Sequence, residues 1–179
     1  LAPQLIRAHA SVRPIREIAL WNRSPERARA LIARLAEQGL TVSLAADLEA
    51  AVRWADIVSV ATISADPLIH GAWLKPGTHV DGVGAFRANM RETDDAVVRR
   101  ARIYVDTRAG ACAEAGDIVK PLNAGVIGKE AILGDLFDLA KGTVGGRETA
   151  EEITFFKSVG AAIEDLAAAI AIYLKARSS

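Results

Sequence analysis

Asn22, Arg23 and Ser24 follow one another at the end of a short apolar run, and Arg27 stands one helical turn further on. A guanidinium and a hydroxyl at this spacing suit a phosphate, which they hold through charge-assisted hydrogen bonds. Residues 17–22 before them read as a buried strand, and Ser24 followed by Pro25 reads as a helix start, serine as the N-cap and proline in the first turn. In nucleotide-binding α/β sheets an acidic residue at such a strand end accepts the ribose 2′-hydroxyl, and the same carboxylate would repel a 2′-phosphate. This chain has no acid at 22–24. The pattern therefore favours NADP(H), with NAD(H) as the alternative. A plain helix cap at Ser24 and a solvated Arg23 would account for the same residues without a ligand.

Three further places fit the same chemistry. Ala2, Pro3 and Gln4 open the first helical run, where free N–H groups and the helix dipole favour an anionic diphosphate. Thr62 and Ser64 follow the third strand, and Val83, Gly84 and Ala85 close the fourth. Ligands bind at the carboxyl ends of strands in open α/β sheets, and small residues let a cofactor approach the backbone. Ordinary turn composition is the alternative at both places. The remaining candidates are weaker. His9, His70 and His79 lack metal-ligand spacing, so no metal is expected. Glu92, Asp94 and Asp95 read as caps of the helix that follows. Cys112 has no catalytic context, and Glu114 and Asp117 carry no chemistry that spacing assigns.

The elements that must position these residues alternate. Strands are expected at 17–22, 41–44, 56–61, 78–83 and 102–106, and helices at 1–12, 24–39, 47–54 and 93–100. Such alternation implies βαβ units: a Rossmann-type, doubly wound, mostly parallel sheet with helices on both faces. The pattern loosens between 110 and 146. Residues 151–175 are expected to form one long buried helix, with Ile153, Phe156, Ile163, Leu166, Ile170 and Tyr173 at helical spacing. A doubly wound domain starts with a central strand, and this chain opens on a helix, so that first strand is expected ahead of Leu1. The organisation expected is a nucleotide-binding domain over 1–150 and a closing helix over 151–179.

Composition sets the outer bounds. Half of the 179 residues are apolar (51%) and a quarter are charged (25%), which suits a globular core. Lys+Arg and Asp+Glu balance at 22 each, so no net charge draws the chain to nucleic acid or to an anionic membrane. Glu164 and Asp165 sit inside the most apolar late stretch, which argues against a membrane span there. One cysteine excludes an internal disulfide. With no leader pattern in view, a cytoplasmic location is expected.

Several motifs occur in a fixed order: Trp21-Asn-Arg-Ser24, Val83-Gly-Ala85 with Met90-Arg-Glu92, Tyr104-Val-Asp106, Glu114-Ala-Gly-Asp117, Gly146-Arg147, Thr154 to Gly160, and Glu164-Asp165. Together they resemble the ornithine cyclodeaminase/μ-crystallin family over essentially the whole chain. The resemblance implies a bound NAD(P), a small amino or imino acid substrate, and a homodimer built through an N-terminal part not contained in this sequence. It also implies that the C-terminal helix packs on that part. It makes Lys157 and Ser158 near-site candidates, as binders of the carboxamide. Cyclodeaminases carry an aspartate shortly after the Val-Gly motif; here Phe86 stands there. A phenyl ring cannot act as a base, so the resemblance points to the reductase branch, acting on Δ1-pyrroline-2-carboxylate or Δ1-piperideine-2-carboxylate. Ornithine cyclodeamination, an alanine-type dehydrogenase and a non-catalytic NADPH-binding protein are the alternatives. No residue of the chain receives a catalytic assignment at this stage.

Overall fold

Local chemistry fixes most of the element boundaries in the computed structural model, which describes residues 1–177. Helix α1 (Ala2–Val12) has proline in its first turn and stops where Arg13 turns extended ahead of Pro14. After strand β1 (Ala19–Leu20), helix α2 (Pro25–Ala36) begins at Pro25 and ends before Gly39 at φ +78°. Strand β2 (Ser43–Leu44) leads to α3 (Leu48–Trp54), capped by Asp47, which accepts from the Ala50 amide at 2.8 Å. Strands β3 (Ile57–Val60) and β4 (His79–Gly82) precede α4 (Asp95–Arg100), capped by Asp94.

Strand β5 (Ala101–Val105) is followed by α5 (Arg108–Glu114), α6 (Gly116–Asn123), β6 (Ile132–Asp135), α7 (Leu136–Lys141), β7 (Ile153–Lys157) and α8 (Ala162–Arg177). The five-stranded sheet has the order β3-β4-β7-β5-β6 and is parallel throughout. Consecutive residues of β5 and β7 are buried (Ile103, Tyr104, Val105; Ile153, Thr154, Phe155), so both faces of the sheet are covered. The core centres on Val80, Ile103, Val105 and Phe155, joined by Val97 and Ile118 from the helices.

β1 and β2 form a separate parallel pair. A cleft of about 810 Å³ separates that pair from β3, lined by residues of β1, α1 and β3.

The closing segment corrects the expectation of one helix over 151–175. Residues 153–157 are a strand inserted between β4 and β5, and the helix starts only at Ala162. The misreading has a physical cause. A strand buried on both faces shows no alternation, and Ile153 and Phe156 happen to fall three apart, in phase with the helix that follows. A division at residue 150 therefore separates β7 from the sheet it completes. The expected burial of α8 is not met within this chain either: Ile163, Leu166, Ile170 and Tyr173 are all about half exposed or more, and the helix has no buried residue. The loosely patterned 110–146 stretch resolves into α5, α6, β6 and α7. No described helix is long and apolar enough to cross a membrane.

Candidate dinucleotide site

Parallel pairing sets Val60, Gly82, Lys157 and Val105 in one row across the sheet. The loops that leave this row carry most of the candidate residues. Val83 and Gly84 both donate to the Val60 carbonyl (2.8 and 3.2 Å), and Ala85 donates to the Thr62 carbonyl (3.1 Å). Ala85 takes a left-handed φ of +46°, the one non-glycine to do so among the described residues. Gly84 is wedged between Thr62 and Glu92. Thr62 and Ser64 use their hydroxyls locally: Thr62 Oγ1 accepts from the Ser64 amide (3.2 Å), and Ser64 Oγ donates to the Asp66 carbonyl (2.7 Å). Beyond the loop, Phe86 is exposed at 40%, and the Arg87 guanidinium stacks over its ring at 5.5 Å.

The next loop is organised by Asp106. Its Oδ2 accepts from the amides of Val159 and Gly160 (both 2.7 Å) and from the Ser158 hydroxyl (3.2 Å). Ser158 thus lies at the sheet edge with its hydroxyl turned to a carboxylate. Lys157 departs from the expected carboxamide contact. It is fully buried, and its ammonium donates to the carbonyls of Gly82 (3.0 Å), Gly84 and Ser158 (2.9 Å), because β7 runs down the middle of the sheet and points this side chain into the core.

Glu92 and Asp117 complete the buried group. Glu92 departs from the cap expected of it: Asp94 caps α4, and Asp95 pairs with Arg91. Glu92 is 0% exposed and accepts from the Thr62 amide. Asp117, to which spacing assigns nothing, is also 0% exposed; its Oδ1 accepts from the amides of Glu92 (2.8 Å) and Thr93 (2.7 Å) and from the Thr93 hydroxyl (2.8 Å). Its Oδ2 lies 3.9 Å from Lys157 Nζ. Nothing in the sequence around Glu92 sets it apart from the neighbouring acids Asp94 and Asp95, and Asp117 is marked only by the small residues Ala115 and Gly116 before it.

Burial raises the pKa of Glu92 above its ordinary 4.5, against the hydrogen bond from Thr62. Burial likewise lowers that of Lys157, against the pull of Asp117 and Glu92. For Glu92 the folded state holds its proton more tightly than the unfolded state. The stability that Glu92 contributes is therefore full below about pH 4.5 and is lost as pH rises through its folded-state value. Glu92→Gln removes this titration. Urea unfolding across that window should show wild type losing stability relative to Glu92→Gln as pH rises; parallel curves would contradict it.

At the other end of the cleft, Asn22 Oδ1 accepts from the Ser24 amide (2.8 Å), an Asx turn that shapes the entry to α2. Ser24 holds the N-cap position, yet its hydroxyl makes no capping bond. Asn22, Arg27, Ala2 and Thr62 line the cleft; Arg23 is exposed beside it, and Pro3 and Gln4 lie on α1 outside its lining. The residues fit a dinucleotide in two respects. Thr62, at the carboxyl end of β3, lines one end, and a hydroxyl with two exposed guanidiniums stands at the other; Ser64, Val83, Gly84, Ala85, Lys157 and Ser158 lie outside the lining, and Gly84 and Ala85 are buried. The three histidines pair with Asp81 (His9, 2.9 Å), Asp94 (His70, 3.1 Å) and Thr154 (His79, 2.8 Å), and of the three only His9 lines the cleft. Among the described residues, no group of three or more His, Cys, Asp or Glu could hold a metal.

Comparison with known proteins agrees with this geometry. The sequence profile of the ornithine cyclodeaminase/mu-crystallin family matches residues 2–179. A Delta(1)-pyrroline-2-carboxylate reductase of Paracoccus denitrificans is 46% identical over 169 residues, 93% of this chain and 53% of that protein. The mouse ketimine reductase mu-crystallin is 37% identical, over 88% of this chain and 47% of that protein. Among solved structures, the Delta(1)-pyrroline-2-carboxylate reductase of Thermococcus litoralis in complex with NADH and L-proline superposes with a TM-score of 0.94 at 34% identity, covering 99% of this chain and 55% of that one. The chain spans about half the length of the relatives it matches.

Proposed function

The chain belongs to the ornithine cyclodeaminase/mu-crystallin family, and we propose that it is the dinucleotide-binding part of an enzyme that reduces a cyclic imine carboxylate, Δ1-pyrroline-2-carboxylate or Δ1-piperideine-2-carboxylate, to L-proline or L-pipecolate. The observation that carries the reading is the loop after β4. Gly84 and Ala85 are buried where the strand ends, and the exposed side chain that follows is Phe86, not an acid. No carboxylate is offered there to bind a substrate amine, as a deaminating cyclisation requires. The relatives that are named as reductases support the same direction.

When bound, the reduced nicotinamide supplies a hydride to the carbon of the C=N bond. The chain's own residues do the holding. Arg23, Arg27 and Ser24 bind the adenosine end, and the start of α1 meets the diphosphate through Ala2, the one of residues 2–4 that lines the cleft. Thr62, Ser64 and Val83 to Ala85 form the wall beside the ring, and Ser158 stands at the neighbouring strand end. NADP(H) is favoured over NAD(H), because the strand end at 22–24 is cationic. The apolar, exposed face of α8 is read as the surface that meets a substrate-binding part and supports a homodimer. A cytoplasmic location fits a reductase of small metabolites.

The test is direct. Full-length protein given either imine and NADPH should consume the cofactor and form the cyclic amino acid. Conversion of ornithine to proline and ammonia with NAD+, without imine reduction, would overturn the reading. Arg23→Ala tests the cofactor choice. NADPH binding should weaken by roughly tenfold to a hundredfold, the weight of one charge-assisted contact, while NADH binding stays nearly unchanged. Equal losses would remove the 2′-phosphate from Arg23.

A further inference from the structure

The buried polar group beneath the 82–85 loop is the largest concentration of ionisable side chains in the core, and nothing in the proposed reaction uses it. Lys157, Glu92 and Asp117 are all 0% exposed. Interiors rarely hold three such groups without a role that an apolar core could not fill, because desolvation cancels most of what their attraction contributes.

Their contacts converge on one stretch of backbone. On one side the Lys157 ammonium, with three donors, meets three carbonyls, of Gly82, Gly84 and Ser158. On the other side Glu92 takes the Thr62 amide, and the Thr62 carbonyl in turn takes the amide of Ala85. Asp117 fixes Glu92 by its backbone and lies beside the lysine. The loop is thus laced to β7 through its acceptors and to the β3 end through its donors. Between the two, Ala85 is held at φ +46°, a conformation an alanine does not choose unaided.

We propose that Lys157 and Glu92 are positioning residues that hold the 82–85 backbone in the shape against which the nicotinamide half of the dinucleotide lies. This rests on the assignment of a dinucleotide to the site. Neither side chain reaches the reacting atoms; both act through the loop. A charge-neutral residue of similar length at 157 leaves three strand-end carbonyls without their donor, so the loop relaxes and the ring loses its registration with the substrate. Misplacement on the order of an ångström lowers hydride transfer about a hundredfold. The adenosine end, held at 22–27 in the turn from β1 into α2, is untouched.

The experiment uses full-length protein and two probes: NADPH, and 2′,5′-ADP as the adenosine half alone. In Lys157→Met, binding of 2′,5′-ADP is expected to stay at the wild-type level. NADPH binding should weaken about tenfold, and the single-turnover reduction rate should fall about a hundredfold. A purely structural role would weaken both probes together. Equal loss of both probes, or a rate equal to wild type, overturns the proposal. If Lys157→Met does not fold, Glu92→Ala and Glu92→Gln take its place. Loss of rate with Ala and recovery with Gln, at equal 2′,5′-ADP binding, supports it; identical behaviour of the two overturns it. The underlying assignment fails separately, on wild-type protein that binds 2′,5′-ADP and NADPH no better than adenosine.

Discussion

Gly84→Ala is expected to lower stability by about 3 kcal/mol and to abolish dinucleotide binding. A β-carbon at this position would stand closer to Thr62 N, Thr62 O and Glu92 Oε1 than real Cβ atoms come to any neighbour. Two of these atoms are backbone, and they cannot swing aside as a lysine tip could. Thr62 N is bound to Glu92, and Thr62 O to the Ala85 amide, so moving Thr62 breaks both bonds. The requirement for glycine here is space, since Gly84 is not among the residues at positive φ. Relief by shifting the 83–85 loop outward would push backbone into the ring's place. Gly145→Ala is the control: its Cβ meets nothing within 4 Å, and its φ is unstrained. Urea midpoints should separate the two variants, with Gly145→Ala within about 0.5 kcal/mol of wild type. A Gly84→Ala protein of wild-type midpoint and NADPH affinity would show that the loop is loosely held, and the account of the site would fail with it.

What is legible in the sequence follows from how local each signal is. The first five strands are readable because each apolar run is bounded by a turn or helix cap, and Asp47 and Pro25 mark helix starts by chemistry that needs no tertiary partner. Strand β6, only Ile132–Asp135 with a glycine inside it, gives no such pattern. Strand β7 is hidden by its own burial: placed between β4 and β5, it needs no polar face. The site divides along the same line. Asn22, Arg23, Ser24 and Arg27 are neighbours in sequence, so their residue types are enough to suggest a phosphate. Lys157 meets Gly82 from 75 residues away, and Asp117 meets Glu92 from 25. The first pairing exists only once β7 has entered the sheet, the second only once α6 has packed beside the loop before α4, and no spacing within the chain announces either step.

Asp117→Ala should destabilise the protein by about 3–5 kcal/mol, the cost of breaking a buried charged pair by removing one partner. The carboxylate serves two functions at once. Its Oδ1 satisfies two buried amides and the Thr93 hydroxyl, and its Oδ2 is the nearest negative charge to the Lys157 ammonium at 3.9 Å. Alanine removes both, leaving donors that no water replaces without opening the core. An amide in place of the acid separates the two. Asp117→Asn keeps an acceptor for the Glu92 and Thr93 groups while it removes the charge and turns an amide NH2 toward Lys157, so it should recover a substantial part of the loss. Urea unfolding reads the result as shifts in midpoint at constant slope. If Asn is as damaging as Ala, the charge on Asp117 beside the Lys157 ammonium dominates. If Asn restores wild-type stability, the hydrogen bonds dominate, and the counter-charge to Lys157 comes from Glu92, Asp106 and Asp81. Either result ranks the contacts that hold the 82–85 loop, because that loop hangs from the lysine on one side and from Glu92 on the other, and Asp117 is the residue that touches both.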